Sequence, residues 1–144
     1  MLLEFARNVC GLADVENAEE FADAAELLIV PLQCSLLGEE ATVVIEAGTT
    51  AARVMGPGPT TERFFCRFGL NEEYAGELQR HGLVISGHDD LAEARVAELP
   101  DHPFYVGALF QPERSSDPTW VHPLLAGFAA AVRAHAGIPA GTPA

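Results

Sequence analysis

Gln111-Pro112-Glu113 follows directly on 104–110, Phe-Tyr-Val-Gly-Ala-Leu-Phe, a run without a charged side chain. Such a run, closed by a proline turn, predicts a strand buried on both faces, and site residues collect in loops just past strand ends. Glu113 is a carboxylate able to orient a base, whereas the Gln111 amide has no proton affinity near neutral pH and cannot act as one. Nucleophilic chemistry would need a thiol beside them, and the chain offers Cys10, Cys34 and Cys66. They are odd in number, widely spaced and lack a Cys-x-x-Cys pair, which argues against a disulfide framework and a zinc site. All three read as small buried hydrophobes in a reducing, cytoplasmic setting. Among the histidines, His102 and His122 precede prolines in turns, His81 ends a helix, His88 lies in a hairpin loop and His135 in a last helical turn. None stands at metal-ligand spacing, so all read as structural. A pairing of Cys34 or Cys66 with His102 is the one alternative, and nothing in the spacing asks for it.

The elements that must position these residues fit one domain over 1–137, with 138–144 expected as a disordered tail. A helix over 1–9 presents Leu2, Phe5 and Val9 on one side and is stopped by Gly11. The acidic, alanine-rich 14–26 reads as a surface loop, and 27–33 and 41–46 read as strands around a turn near Gly38. Gly56-Pro-Gly-Pro59 reads as a loop and 63–68 as a strand. Asn71 is the expected cap of a helix with Glu72 and Glu73 in its first turn and Gly82 at its end. A hairpin is expected from 83–87 and 93–99, and a final helix from Pro123 to Ala136.

Charge narrows the partners. The chain carries −13, and no residue is a lysine. An acidic surface repels phosphate backbones, so nucleic acid is not an expected partner. Without lysine there is neither a Walker-type phosphate lysine nor a Schiff base, and no glycine-rich nucleotide loop is present. No apolar stretch is long enough to span a membrane, and no cofactor is implied.

Several ordered blocks resemble a known family: Glu4-Phe-Ala-Arg-Asn-Val9, Asn71-Glu-Glu-Tyr74, Gly82-Leu-Val-Ile-Ser-Gly87, Glu98-Leu-Pro-Asp-His-Pro-Phe104, Phe110-x-Pro-Glu113 and His122-Pro-Leu124. Together they resemble the glutaminase half of CTP synthases, and stand-alone proteins related to its C-terminal region. The resemblance implies a class I glutamine amidotransferase fold, an open flavodoxin-like α/β sheet with helices, here without its first βα units. It also implies a Cys-His-Glu triad, in which a thiolate attacks the glutamine amide, a histidine relays the proton to ammonia, and a carboxylate orients the histidine.

On that template Glu113 falls at the orienting acid and Gln111 at the histidine. The family's nucleophile sits in a Gly-x-Cys-x-Gly elbow, expected just before Met1; no cysteine of the chain has such flanks. The family's arginine- and histidine-rich recognition stretch falls on 63–68, where Arg63 and Arg67 persist and Phe64 and Cys66 replace histidines. Arg63, Arg67 and Phe68 are thus the implied substrate contacts, with Arg67 the candidate to grip an α-carboxylate. Three functions are expected in turn: an amidotransferase-like binding or regulatory module that no longer hydrolyses glutamine; a piece of a longer CTP-synthase-like enzyme of pyrimidine nucleotide synthesis with an upstream cysteine; or a structural partner subunit. Glutamine or a related small molecule is the expected ligand. Self-association, or a partner chain supplying the missing half, is the expected assembly, because an apolar strand without its neighbours leaves an open edge.

Overall fold

The computed structural model describes residues 1–33 and 35–138. In chain order its elements are α1 (Leu2–Asn8), β1 (Glu16–Asn17), β2 (Leu27–Pro31), β3 (Glu39–Ile45), α2 (Thr50–Met55), β4 (Gly58–Phe64), β5 (Phe68–Leu70), α3 (Ala75–Arg80), β6 (Val84–His88), β7 (Ala94–Glu98), β8 (Val106–Ala108) and α4 (Pro123–His135). Short 3-10 turns cover Glu72–Tyr74 and Pro112–Ser115. Five strands form one sheet in the order β4-β3-β6-β7-β8, antiparallel throughout, and β1-β2-β5 form a smaller one.

All five residues of β7 are buried. Successive strand residues point to opposite faces, so β7 serves two cores at once. Ala97 joins Phe5, Leu28, Leu78 and Leu83 under α1, α3 and the small sheet. Val96 joins Val43, Ile45, Phe64, Phe110 and Leu124 under α2 and α4. Each large apolar side chain fully buried there contributes about 1.5–3 kcal/mol.

The buried strand is therefore β7, which includes two charged residues, and not 104–110. That run yields only the three-residue β8, half-buried at the sheet edge. The strands expected over 27–33 and 41–46 do not pair with each other: β2 lies in the small sheet, while β3 pairs with β4 and β6. The expected strand 63–68 is broken, since β4 ends at Phe64 and β5 starts at Phe68. Pro59 enters β4, where an edge position spares it a ladder bond. Helix α2 and the short β1 stand in segments read as irregular; α2 is capped by Thr49, whose side chain accepts the Ala52 N–H at 3.0 Å. Asn71 caps its helical segment as expected, accepting the Glu73 N–H, and Gly82 closes it at a φ of +96°. Cys10 and Cys66 are half-buried rather than core residues. Cys34 and residues 139–144, most of the expected tail, lie outside the described residues; the Ile138 N–H bonds the Arg133 carbonyl at 2.9 Å.

The join between β3 and β6 is brief. Only Val44↔His88 and Ile45↔Gly87 are in register, extended by the Glu46 N–H to the Ser86 carbonyl at 2.9 Å. His88 reinforces it: Nδ1 meets the Asp89 carbonyl at 2.8 Å and Nε2 the Glu46 carboxylate at 2.9 Å. Both neighbours are acceptors, so both ring nitrogens must donate, which requires the imidazolium. The Asp89 carbonyl contact, and then Glu46, hold the His88 pKa above its ordinary value against the opposing effect of burial. A raised histidine pKa stabilises fully below the unfolded value of about 6.5 and is lost as pH rises through the folded one. The stability advantage of wild type over His88→Gln, from denaturant titrations, is thus expected to be largest in mild acid and to fade above neutrality. An advantage growing toward alkaline pH would contradict this pairing.

Glu98 puts a carboxylate into the fully buried β7 with 1% of its surface exposed. It accepts the Thr50 N–H at 2.6 Å and the Ala51 N–H at 2.9 Å, two donors that the first turn of α2 leaves unmatched. Glu98→Ala strands both donors and opens a void, and is expected to cost about 3 kcal/mol. Glu98→Gln keeps the shape but turns its NH₂ toward one N–H, and is expected to cost roughly half as much. Urea titration of the two variants measures both values; a neutral Glu98→Ala would mean that water replaces the carboxylate.

Candidate functional site

β8 ends at Ala108, and the buried Phe110 is followed at once by Gln111. The Gln111 N–H bonds the Arg63 carbonyl at 3.1 Å. Its side-chain Oε1 accepts the Phe65 N–H at 2.6 Å, and Nε2 donates to the Leu109 carbonyl at 3.3 Å. Both ends of the amide are therefore committed to backbone groups, one on its own segment and one where the 65–67 connection leaves β4. An imidazole could neither span these positions in the same way nor be replaced by this amide as a base.

Pro112 starts the 3-10 turn that carries Glu113. The Glu113 side chain is exposed and makes no hydrogen bond or ion pair among the described residues. Gln111 and Glu113 are neighbours in the chain but are not linked by side-chain bonding. Arg114 lies over the Phe65 ring, its guanidinium carbon 3.8 Å from the centroid, and Arg63 pairs with Glu40 at 2.8 Å. Arg114 thereby staples the turn to Phe65, whereas the Arg63 pair joins β4 to β3.

Arg67 and Phe68 sit on a different wall. A cleft of about 320 Å³ is lined by Glu19, Leu37, Phe65, Cys66, Arg67 and Phe68. Glu19, Cys66 and Phe68 also border an apolar cavity of about 390 Å³ that runs between the two sheets. The side chains of Glu19 and Arg67 have no hydrogen-bond or ion-pair partner among the described residues. An unpaired acid and an unpaired guanidinium on one cleft complement the two ends of a small zwitterion. Sequence reasoning missed Glu19, since it lies in an acidic stretch where nothing separates one carboxylate from the next.

The Cys10 thiol is not primed. Burial pushes the Cys10 pKa up, and the Glu77 carboxylate adds to it, the reverse of what a nucleophile requires. His102 accepts the Phe104 N–H through Nδ1 and stacks edge-on to Tyr105, with no contact to Cys66 among the described residues. A second carboxylate–histidine pair, missed in the sequence because 60 residues separate its members, is buried under α4: His122 Nε2 lies 3.1 Å from Glu62. His122 Nδ1 accepts the Leu124 N–H and caps α4, which fixes the proton on Nε2, facing Glu62. Both nitrogens are occupied, so this pair anchors a helix and has no free site to act as base. Among the described residues no three His, Cys, Asp or Glu side chains are grouped to hold a metal. Among the described residues no helix is long and apolar enough to cross a membrane.

Comparison with known proteins places this geometry. No family model matches the chain. It is 35% identical to the CTP synthase of Chlorobium phaeovibrioides over 147 residues, covering 94% of this chain and 25% of that protein. It is 38% identical to the CTP synthase of Natronomonas pharaonis over 136 residues, covering 88% of this chain and 24% of that protein. The chain thus spans about a quarter of the length of the curated relatives it matches. A solved structure of the Trypanosoma brucei CTPS glutaminase domain with bound acivicin superposes with a TM-score of 0.82 at 22% identity, over 98% of this chain and 58% of that one. The expected α/β amidotransferase fold is the fold found.

The Gln111 amide gives the site a measurable mechanical role. Gln111→Ala is expected to lower stability by about 1 kcal/mol through the lost bond to the Phe65 amide. Faster hydrogen exchange at Phe65 should accompany the loss. Unchanged exchange there would show that the amide bridge does not hold the segment.

Proposed function

Because this chain is related to CTP synthases over a quarter of their length and has the fold of a glutaminase domain, we propose that it is an amidotransferase-like module that binds glutamine or a close analogue without hydrolysing it. One observation carries the reading: the residue at the base position is an amide, and both its ends are tied to backbone. A thiol attack on the glutamine amide requires a base to take the thiol proton and deliver it to ammonia, and Gln111 can do neither. No Gly-x-Cys-x-Gly segment occurs in the 144 residues to supply the nucleophile. Loss of such a relay costs about 10⁶ in rate. The module is then a pseudoenzyme whose retained part is the binding cleft: Arg67 meets the α-carboxylate, Glu19 the α-ammonium, and the Phe68 ring packs on the methylene stem. A reducing cytoplasm suits its thiols.

The length of the relatives favours a second reading, in which this chain is one part of a longer CTP-synthase-like amidotransferase whose cysteine comes from polypeptide outside these residues. Glu113 would then still be placed to orient a proton carrier, and the chemistry would use a carrier other than Gln111. An open reading frame continuous with this one and encoding a Gly-x-Cys-x-Gly elbow separates the two readings.

Calorimetric titration of the 144-residue chain with L-glutamine tests the binding. Saturable binding is expected, weakened roughly tenfold by Arg67→Ala, the loss of a charge-assisted contact on an exposed wall. Ammonia release is expected to stay at background for wild type and for Gln111→His, because a base without a thiolate to activate has nothing to do. Turnover in Gln111→His that is abolished by Cys66→Ser would identify Cys66 as a nucleophile and overturn the proposal.

A further inference from the structure

Strand β4 stops at Phe64 and β5 starts at Phe68, so the connection 65–67 must find its hydrogen bonds outside a ladder. Its carbonyls turn to one neighbour: the Cys66 oxygen accepts the Leu36 N–H at 3.3 Å and the Arg67 oxygen the Leu32 N–H at 2.8 Å. Its first amide turns to another, since the Phe65 N–H meets the Gln111 Oε1 at 2.6 Å. Gln111 also donates its own N–H to the Arg63 carbonyl at 3.1 Å. In a parallel ladder one residue donates to a carbonyl and accepts from an amide two positions further along the neighbouring strand. Gln111 does both around Phe64, with its side-chain oxygen acting as the acceptor. A side-chain amide carries the same donor and acceptor as a peptide group, so it can extend the pairing past the end of β4.

The same turn holds Phe65 a second time, through the Arg114 guanidinium over its ring. Phe65 and Arg67 both line the cleft of about 320 Å³. The Arg67 side chain is exposed and makes no hydrogen bond or ion pair among the described residues. No side-chain contact aims its guanidinium, so the backbone of 65–67 sets where it starts and which way it leaves.

We infer that Gln111 is a positioning residue for this cleft: its amide fixes the connection that presents Arg67 to the α-carboxylate of glutamine. The inference rests on the reading of the cleft proposed above. A guanidinium holds a carboxylate through two parallel bonds, a geometry that tolerates little displacement. With the Phe65 tie cut, the connection is held only through its carbonyls, and ordering it again counts against binding.

Calorimetric titration of the 144-residue chain with L-glutamine, run as a double-mutant cycle, tests this. Gln111→Ala is expected to weaken binding about fivefold and Arg67→Ala about tenfold. In the Arg67→Ala background, Gln111→Ala is expected to add nothing, because no guanidinium is left to direct. Gln111→Glu keeps an oxygen for the Phe65 N–H and is expected to bind within roughly twofold of wild type. If Gln111→Ala fails to fold, Gln111→Met takes its place, filling similar space without an acceptor. Losses that add across the cycle overturn the inference and leave the binding reading standing. So does a Gln111→Ala of wild-type affinity, or a Gln111→Glu as weak as Gln111→Ala. A wild type without saturable binding overturns both.

Discussion

A carboxylate in the most buried strand of a sheet is tolerable only where donors surround it, and Glu98 meets that condition with two N–H groups of α2. The constraint propagates. The bonds pin the start of α2 to β7, and α2 in turn presses Val54 against Gly127 of α4, where any Cβ would meet Val54 at 2.7 Å. Helix α4 is fastened at its own start by His122, whose other nitrogen is held by Glu62 on β4. Polar anchors thus run from the central strand through both helices to the far edge, and the apolar cluster of Val43, Phe64, Val96 and Phe110 closes inside that frame.

Local signals were legible in the sequence and long-range ones were not. Asn71 and Gly82 bound their helical segment because a cap and a left-handed stop act within one turn. The hairpin of β6 and β7 was legible for the same reason, its turn knitted by Asp89 to the N–H groups of Leu91 and Glu93. The run 104–110 misled because an edge lying between two apolar grooves has the same composition as a strand covered on both sides. Conversely, β7 is buried although it holds Arg95 and Glu98, and the partners that make this possible, Asp89 and Thr50 among them, are set by the fold. The choice of β6 rather than β2 as a neighbour for β3 depends on helices packed on either face, which no local pattern reports.

At the loop that the resemblance singles out, the structure shows contacts that the sequence does not announce. That the Gln111 amide ties the 65–67 connection to the β8 loop was not legible, because the partner Phe65 lies 46 positions away. Arg63 and Arg67 look equivalent in sequence, four residues apart. One is held by Glu40 beside the stacked Arg114, and the other faces a cleft with Glu19. The strand break between them turns the two guanidiniums into different surroundings, and only the first has an ion-pair partner among the described residues.

The brief contact between β3 and β6 divides the large sheet into two blocks. On one side the β3–β4 hairpin is joined over seven rungs, and on the other β6, β7 and β8 form a continuous meander. Between them are two rungs and one flanking bond. Gly87 sits at this seam with no room for a side chain, since a Cβ there would meet Val96 at 2.8 Å and Ile45 at 3.1 Å. With few backbone bonds across it, the join is held by packing: Val43 and Ile45 share one buried cluster with Val96. The sheet is therefore continuous through its side chains where its backbone ladder is short, and α2, tied to Glu98, is the strap that spans the join.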